Sequence, residues 1–260
     1  MLKLERRPLN DFLGPEHQQA LRKRTESAKK LAENELTDAQ KSKRISAQWD
    51  AFRAGRTSQD TAKALWCELL AMAFNKCAFC ETPAPDTVEH LEEKSRAPAK
   101  AFDWANLLAA CSTCNRNRQC SGITATPMDP STIEPMDHFG WDEYGDFAPA
   151  PAHRDVVLDH VRMYGLTRFK EERKKTVLAL RALLASVVFE EPLGATTRDA
   201  LRAVLSGTSA WLGPVREYLL RPPTENDALV LDEALRQLPE LREWVALWLR
   251  PPPWAPARWR

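Results

Sequence analysis

Two Cys-x-x-Cys pairs, Cys77-Ala-Phe-Cys80 and Cys111-Ser-Thr-Cys114, constrain this chain more than any other feature. Each pair sets two sulfurs on one tight turn, and two such turns brought together make a closed tetrahedral four-thiolate site. Residues 81–110 must then fold compactly enough to return the second pair to the first. Such pairs read as metal ligands where thiols stay reduced, and as disulfides only in an oxidising compartment. The opening residues MLKLERRPLNDFLG carry charges where a secretory leader needs an apolar centre, and no apolar run approaches the ~18 residues of a membrane span. The expectation is a cytoplasmic protein whose Cys77, Cys80, Cys111 and Cys114 bind a structural Zn²⁺. Cys120 falls outside the pattern. Cys67 sits in an apolar helical run and reads as a small buried thiol.

A closed zinc site performs no chemistry, so the residues between and beside the cysteines matter more. Asp86-Thr-Val-Glu89-His90-Leu91 is short and β-branched, which predicts a strand that delivers a carboxylate and an imidazole side by side. A loop over 92–103 follows, then Trp104-Ala-Asn106-Leu107. Cys114-Asn115-Arg116-Asn117-Arg118 opens a short helix. Strand, loop, strand and helix, stapled by zinc, bring Glu89, His90 and Asn115 around one point.

The rest of the chain reads as helical support. Hydrophobic residues make up 43% of the 260, enough for a core, and Lys+Arg 37 against Asp+Glu 36 leaves net +1. That balance excludes binding polyanions by bulk charge alone. Helices are predicted over 16–35 and 38–53. The second has Thr37 or Asp38 as N-cap and Ile45, Trp49 and Phe52 as its apolar face. The cations of this region (Arg22, Lys23, Arg24, Lys29, Lys30, Lys41, Lys43, Arg44) fit either a solvated face or a surface that tracks phosphates or docks a partner. Gly55 separates a third helix, over 58–75, whose Leu65, Trp66, Leu69, Leu70 and Phe74 turn inward. Prolines and aromatics make 123–153 irregular, with a short hairpin over 139–147 around Gly145. Helix resumes at 167–189, breaks at Pro192-Leu-Gly194, and returns over 197–206, 209–220, 226–238 and 240–250. Trp211, Trp244 and Trp248 read as core or interface residues, and the PPPWAPARWR tail as extended. His138, His153 and His160 receive no role. The fold class is mainly α with an embedded small α+β module. Its parts are a helical region at 1–75, the catalytic module at 76–122, an irregular connector at 123–160 and a helical region at 161–260.

The order Cys-x2-Cys, Glu-His, Asn-Leu, Cys-x2-Cys-Asn resembles the HNH endonuclease motif with its ββα-metal fold. More narrowly, Cys77-Ala-Phe-Cys80-Glu81, Glu89-His90 followed by Lys94-Ser95, and Phe102-x-Trp104-x-Asn106-Leu107 resemble the HNH subunit of Septu and retron-associated anti-phage systems. The likeness covers about 45 residues. It departs at Asn115, where many members have His, at Glu93, where a Pro is usual, and at Arg118, where a Lys is usual. The resemblance implies hydrolysis of phosphodiesters, DNA before RNA, with His90 as general base. It implies Glu89 and Asn115 as ligands of one catalytic Mg²⁺ or Mn²⁺, and Asn106 as a brace that orients His90. Lys94, Arg116 and Arg118 become phosphate contacts, and an ABC/SMC-like ATPase becomes the partner in a hetero-oligomer. An RNase that cuts, for example, tRNA, and a non-enzymatic zinc module that binds nucleic acid or protein, remain open as alternatives.

Overall fold

The computed structural model describes residues 1–54, 59–142, 144–190, 192–207, 209–249 and 255–259. Gly55, Ser58 and residues 251–254 of the expected extended tail lie outside them. Three helices open the chain: α1 (Pro15–Glu33), α2 (Asp38–Arg53) and α3 (Gln59–Met72). Thr37 caps α2 in a capping box, its hydroxyl accepting from Gln40 N while the Gln40 side chain accepts from Thr37 N. Ile45, Trp49 and Phe52 of α2 are buried, as the periodicity predicts. In α3, Leu65 and Leu69 are buried, but Cys67 is exposed, which corrects the expectation of a buried thiol. It lies two residues from each leucine, about 200° around the helix from either.

The middle of the chain is the ββα unit. Strands β1 (Thr87–His90) and β2 (Leu107–Ala110) pair antiparallel, with Thr87 opposite Ala110 and His90 opposite Leu107. Helix α4 (Ser112–Cys120) follows directly. A short helix α5 (Pro135–His138) leads into the expected hairpin, β3 (Phe139–Trp141) against β4 (Phe147–Pro149).

Helix α6 (Arg154–Tyr164) was not legible in the sequence, which put part of it in an irregular connector. Val157, His160, Val161 and Tyr164 do stand at i, i+3, i+4 and i+7, and all four are buried. The nearby Pro149 and Pro151 obscured that period. Gly165 ends α6 at φ +59°, where a Cβ would stand 2.6 Å from Asn117 Nδ2, so the tight approach to α4 needs glycine.

The C-terminal part is an array of α7 (Lys170–Phe189), α8 (Ala195–Leu205), α9 (Leu212–Leu220), α10 (Glu225–Gln237) and α11 (Leu241–Leu249). Helix α7 packs against α8, α9 and α10, and α8 also meets α11. Trp248 is buried, its indole donating to Leu205 O at 2.8 Å, while Trp211 and Trp244 are half-buried. None of the three stands free as a stacking platform. Several polar ties fix the array to the rest, among them one at Glu81 and one at Glu134. Gly213 N donates to Glu81 Oε2 at 2.7 Å beside the first cysteine turn. The buried Arg216 holds Glu134 at 2.6 Å and Leu249 O at 2.7 Å. Among the described residues no helix is long and apolar enough to cross a membrane.

Candidate active site

The four cysteine sulfurs come together as the spacing requires. The Sγ atoms of Cys77, Cys80, Cys111 and Cys114 lie within 4.8 Å of one another, and Cys80 Sγ stands 3.7 Å from Cys111 Sγ. Sulfurs on a tetrahedral Zn²⁺ at ~2.3 Å stand about 3.8 Å apart, whereas a disulfide holds them at about 2.05 Å. The donor set and spacing therefore fit zinc. Burial pushes the Cys77 thiol up, so the site ionises where a cation compensates. Donors surround the sulfurs as they do in thiolate sites: Arg168 Nη2 reaches Cys114 Sγ at 3.3 Å, and Cys114 N reaches Cys111 Sγ at 3.4 Å at the start of α4. The knuckle is joined to the sheet by Ala78 N donating to Ala109 O at 2.9 Å.

This staple fixes α4 against β1, and a cavity of about 250 Å³ opens between them. Val88, Glu89 and His90 all line it, with Glu93, Lys94 and Asn115. Adjacent strand residues point to opposite faces, so Glu89 and His90 share a cavity because it opens along the edge of β1 that β2 leaves free. Asn115 closes the α4 side, its Nδ2 donating to Val88 O at 3.4 Å. The far wall is α2, through Ser42 and Ser46.

His90 is buried and held on two sides. Its Nε2 lies 3.0 Å from Ala101 O, an acceptor, so Nε2 carries the hydrogen and Nδ1 keeps the free lone pair. The Trp49 ring meets it edge-on at 4.6 Å. Burial, with the Lys94 charge adding to it, lowers its pKa to about 3, so the imidazole is neutral. Asn106, also buried, spends its hydrogen bonds on the loop rather than on the ring. Its Nδ2 donates to Glu92 O and Lys100 O, each at 3.0 Å, and its Oδ1 accepts from Glu92 N at 2.7 Å. It braces the loop whose Ala101 carbonyl orients His90, so its influence is one of positioning.

Glu89 is the buried carboxylate. Arg118 Nε lies 2.9 Å from its Oε1 and Tyr164 OH 3.4 Å from the same atom. Burial pushes the Glu89 carboxyl up to about 8 even with Arg118 beside it. Such a group holds a proton or a cation, and binding an ion releases the proton. Glu89 and the Asn115 amide oxygen, which accepts from Gln119 Nε2 at 3.0 Å, form an oxygen donor pair that suits a hard divalent ion completed by water and phosphate.

The three expected phosphate contacts separate. Lys94 is half-buried, lines the cavity and stands 5.8 Å from the Trp49 ring. Arg116 is exposed on α4 and does not line it. Arg118 is 5% exposed, and its other nitrogens donate to Leu91 O at 2.8 Å and Tyr164 OH at 3.0 Å. It is one helical turn on from Cys114, so the cysteine that faces the other three sulfurs turns Arg118 inward too. It lines the cavity from beneath Glu89, paired with that carboxyl rather than standing on the open surface. Arg118→Ala should empty the space under Glu89 and remove the buried hydrogen bonds to Leu91 O and Tyr164 OH, at a cost of about 3 kcal/mol that lowers the melting temperature by ~10 °C. An unchanged melting temperature in calorimetry would restore it as a surface cation.

Sequence reading missed Ser42, Ser46 and Trp49 of α2 and Tyr164 of α6 as parts of the site. Tyr164 stacks on Phe79 of the first knuckle at 3.9 Å while its hydroxyl reaches Glu89. The α2 residues carried a helical signal at i, i+4 and i+7, but nothing local says which element that face meets.

Residues 77–119 match the HNH endonuclease family. The chain is also similar to the Septu protein PtuB of Bacillus thuringiensis, 32% identical over 76 residues that cover 27% of this chain and 30% of that protein. The match thus spans under a third of the relative's length. Residues 77–119 are thus similar to an HNH endonuclease domain, and part of the chain is similar to a Septu protein.

Proposed function

We propose that this HNH-domain chain is a metal-dependent endonuclease that hydrolyses phosphodiester bonds, those of DNA before those of RNA, as the effector subunit of an anti-phage complex. The observation that carries the reading is the convergence of Glu89, His90, Lys94 and Asn115 on one cavity beside the four-cysteine staple. His90, neutral and fixed through Nε2, takes the proton of the attacking water at Nδ1. Glu89 and Asn115 would hold one Mg²⁺ or Mn²⁺, which when bound would supply positive charge to the scissile phosphate and the leaving 3′ oxygen. Lys94 adds a fixed charge within the cavity, Arg116 meets the flanking backbone, and Arg118 with Tyr164 keeps the Glu89 carboxylate in place. Asn106 holds the loop that orients His90.

The partner is an ABC/SMC-like ATPase, in the cytoplasm. The resemblance to Septu and retron-associated subunits supports this, and so does net +1, because a chain with little basic excess holds a polyanion weakly unaided. The test is cleavage of plasmid and of total RNA by the zinc-loaded chain, with Mg²⁺, Mn²⁺ or a chelator, with and without the ATPase. The expected result is plasmid cleavage that needs a divalent ion and rises with the ATPase. Cleavage confined to RNA would move the reading to an RNase, and equal cleavage without the ATPase would remove the partner.

A further inference from the structure

A second cavity adjoins the catalytic one. It measures about 480 Å³ and lies between α2, α3 and the approach to β1, lined by Trp49, Phe52 and Trp66 with Arg53, Lys63 and Val88. Its volume falls in the range of small-ligand sites, and its aromatic lining under cations is the combination that holds nucleobases beside their phosphates.

Its position relates it to the catalytic cavity. Val88 lines both. Along α2, Ser42 and Ser46 face the catalytic cavity, and Trp49 and Arg53, continuing the same helical face, line the larger one. At 1.5 Å per residue the two stand about 10 Å apart along the helix, a step of one or two nucleotides. Trp49 is the wall between them: its ring touches His90 at 4.6 Å and lies 5.8 Å from Lys94 Nζ. Trp66 is half-buried, leaving part of its ring to the cavity, while Arg53 and Lys63 are exposed at the rim.

We infer that this cavity receives an unpaired base of the strand being cut, stacked by Trp66 while Arg53 and Lys63 hold the neighbouring phosphates. A base set between two helices has left its duplex stack, and extrusion costs several kcal/mol unless the strand is already single. The enzyme therefore selects single-stranded or locally unpaired nucleic acid. This inference rests on the nuclease reading above and specifies its substrate.

The test uses the full zinc-loaded chain carrying His90→Ala, so that binding is read without cleavage. A short fluorescein-labelled DNA strand and the same strand in a blunt duplex are titrated by anisotropy. The single strand should bind more tightly. Trp66→Ala should weaken it about tenfold, the loss of one stacked base. Lys63→Glu, a change on the exposed rim, should also weaken it and flatten its salt dependence. Equal affinity for strand and duplex would overturn the inference. So would undiminished single-strand binding in both variants. Parallel cleavage assays on the wild-type chain separate the two claims. Strand-selective binding without cleavage of any substrate counts against the nuclease reading alone. Cleavage that ignores pairing counts against the base pocket alone.

Discussion

Cys114→Ala is expected to unfold the ββα module and abolish zinc binding at the four-cysteine site. The Cys114 sulfur is buried between Cys111 and the Arg168 guanidinium, and it belongs to a set that closes only in the folded state. Zinc bound in this way contributes about 10–16 kcal/mol in small zinc domains, against total stabilities of ~5–15 kcal/mol. The two-stranded sheet cannot replace it, since strands of this number need a stapled or packed partner to persist. Loss should therefore remove β1, β2 and α4 together and disperse Glu89, His90 and Asn115. The array of α7 to α11 has its own buried leucines and should keep much of its helical signal. Metal analysis, circular dichroism and thermal melting check this together. A Cys114→Ala chain that keeps stoichiometric zinc and melts with the wild type would show that the sulfurs do not staple the fold. Brief chelation separates the two metals: oxygen-held Mg²⁺ or Mn²⁺ leaves first, and the thiolate-held zinc stays.

Much of this architecture was legible because its signals are local. The Cys-x2-Cys spacing brought the sulfurs together, the Thr37 cap and the Ile45, Trp49, Phe52 period placed α2, and Glu89-His90 lay on the expected strand. The rest depends on contacts distant in sequence. Arg118 reads as one more exposed cation until α4 is seen to carry it inward with Cys114, beneath Glu89. Tyr164 lies on a helix that the flanking prolines concealed, and its hydroxyl reaches the carboxylate from 75 residues away. Cys67 was misplaced because an apolar run says that a helix is buried without saying which of its faces is. Trp49 was assigned to the core and is there, yet the same ring forms the wall between the two cavities.

The second large effect falls on rate rather than stability. His90→Ala removes a neutral base of the cavity and the nitrogen fixed by Ala101 O, while the four cysteines and the Glu89–Arg118 pair keep their own partners. Losing a positioned general base typically costs about 10²–10⁴-fold. The packing lost against Trp49 should cost only a few kcal/mol, within the reserve of a zinc-stapled fold. The decisive measurement is the single-turnover cleavage rate of DNA by wild-type and His90→Ala chains in Mg²⁺ or Mn²⁺, each shown beforehand to carry equal zinc and to fold. A fall of at least about a hundredfold in the variant, with zinc and fold intact, is the predicted result; equal rates in the two chains would contradict the assignment of this cavity as the catalytic centre.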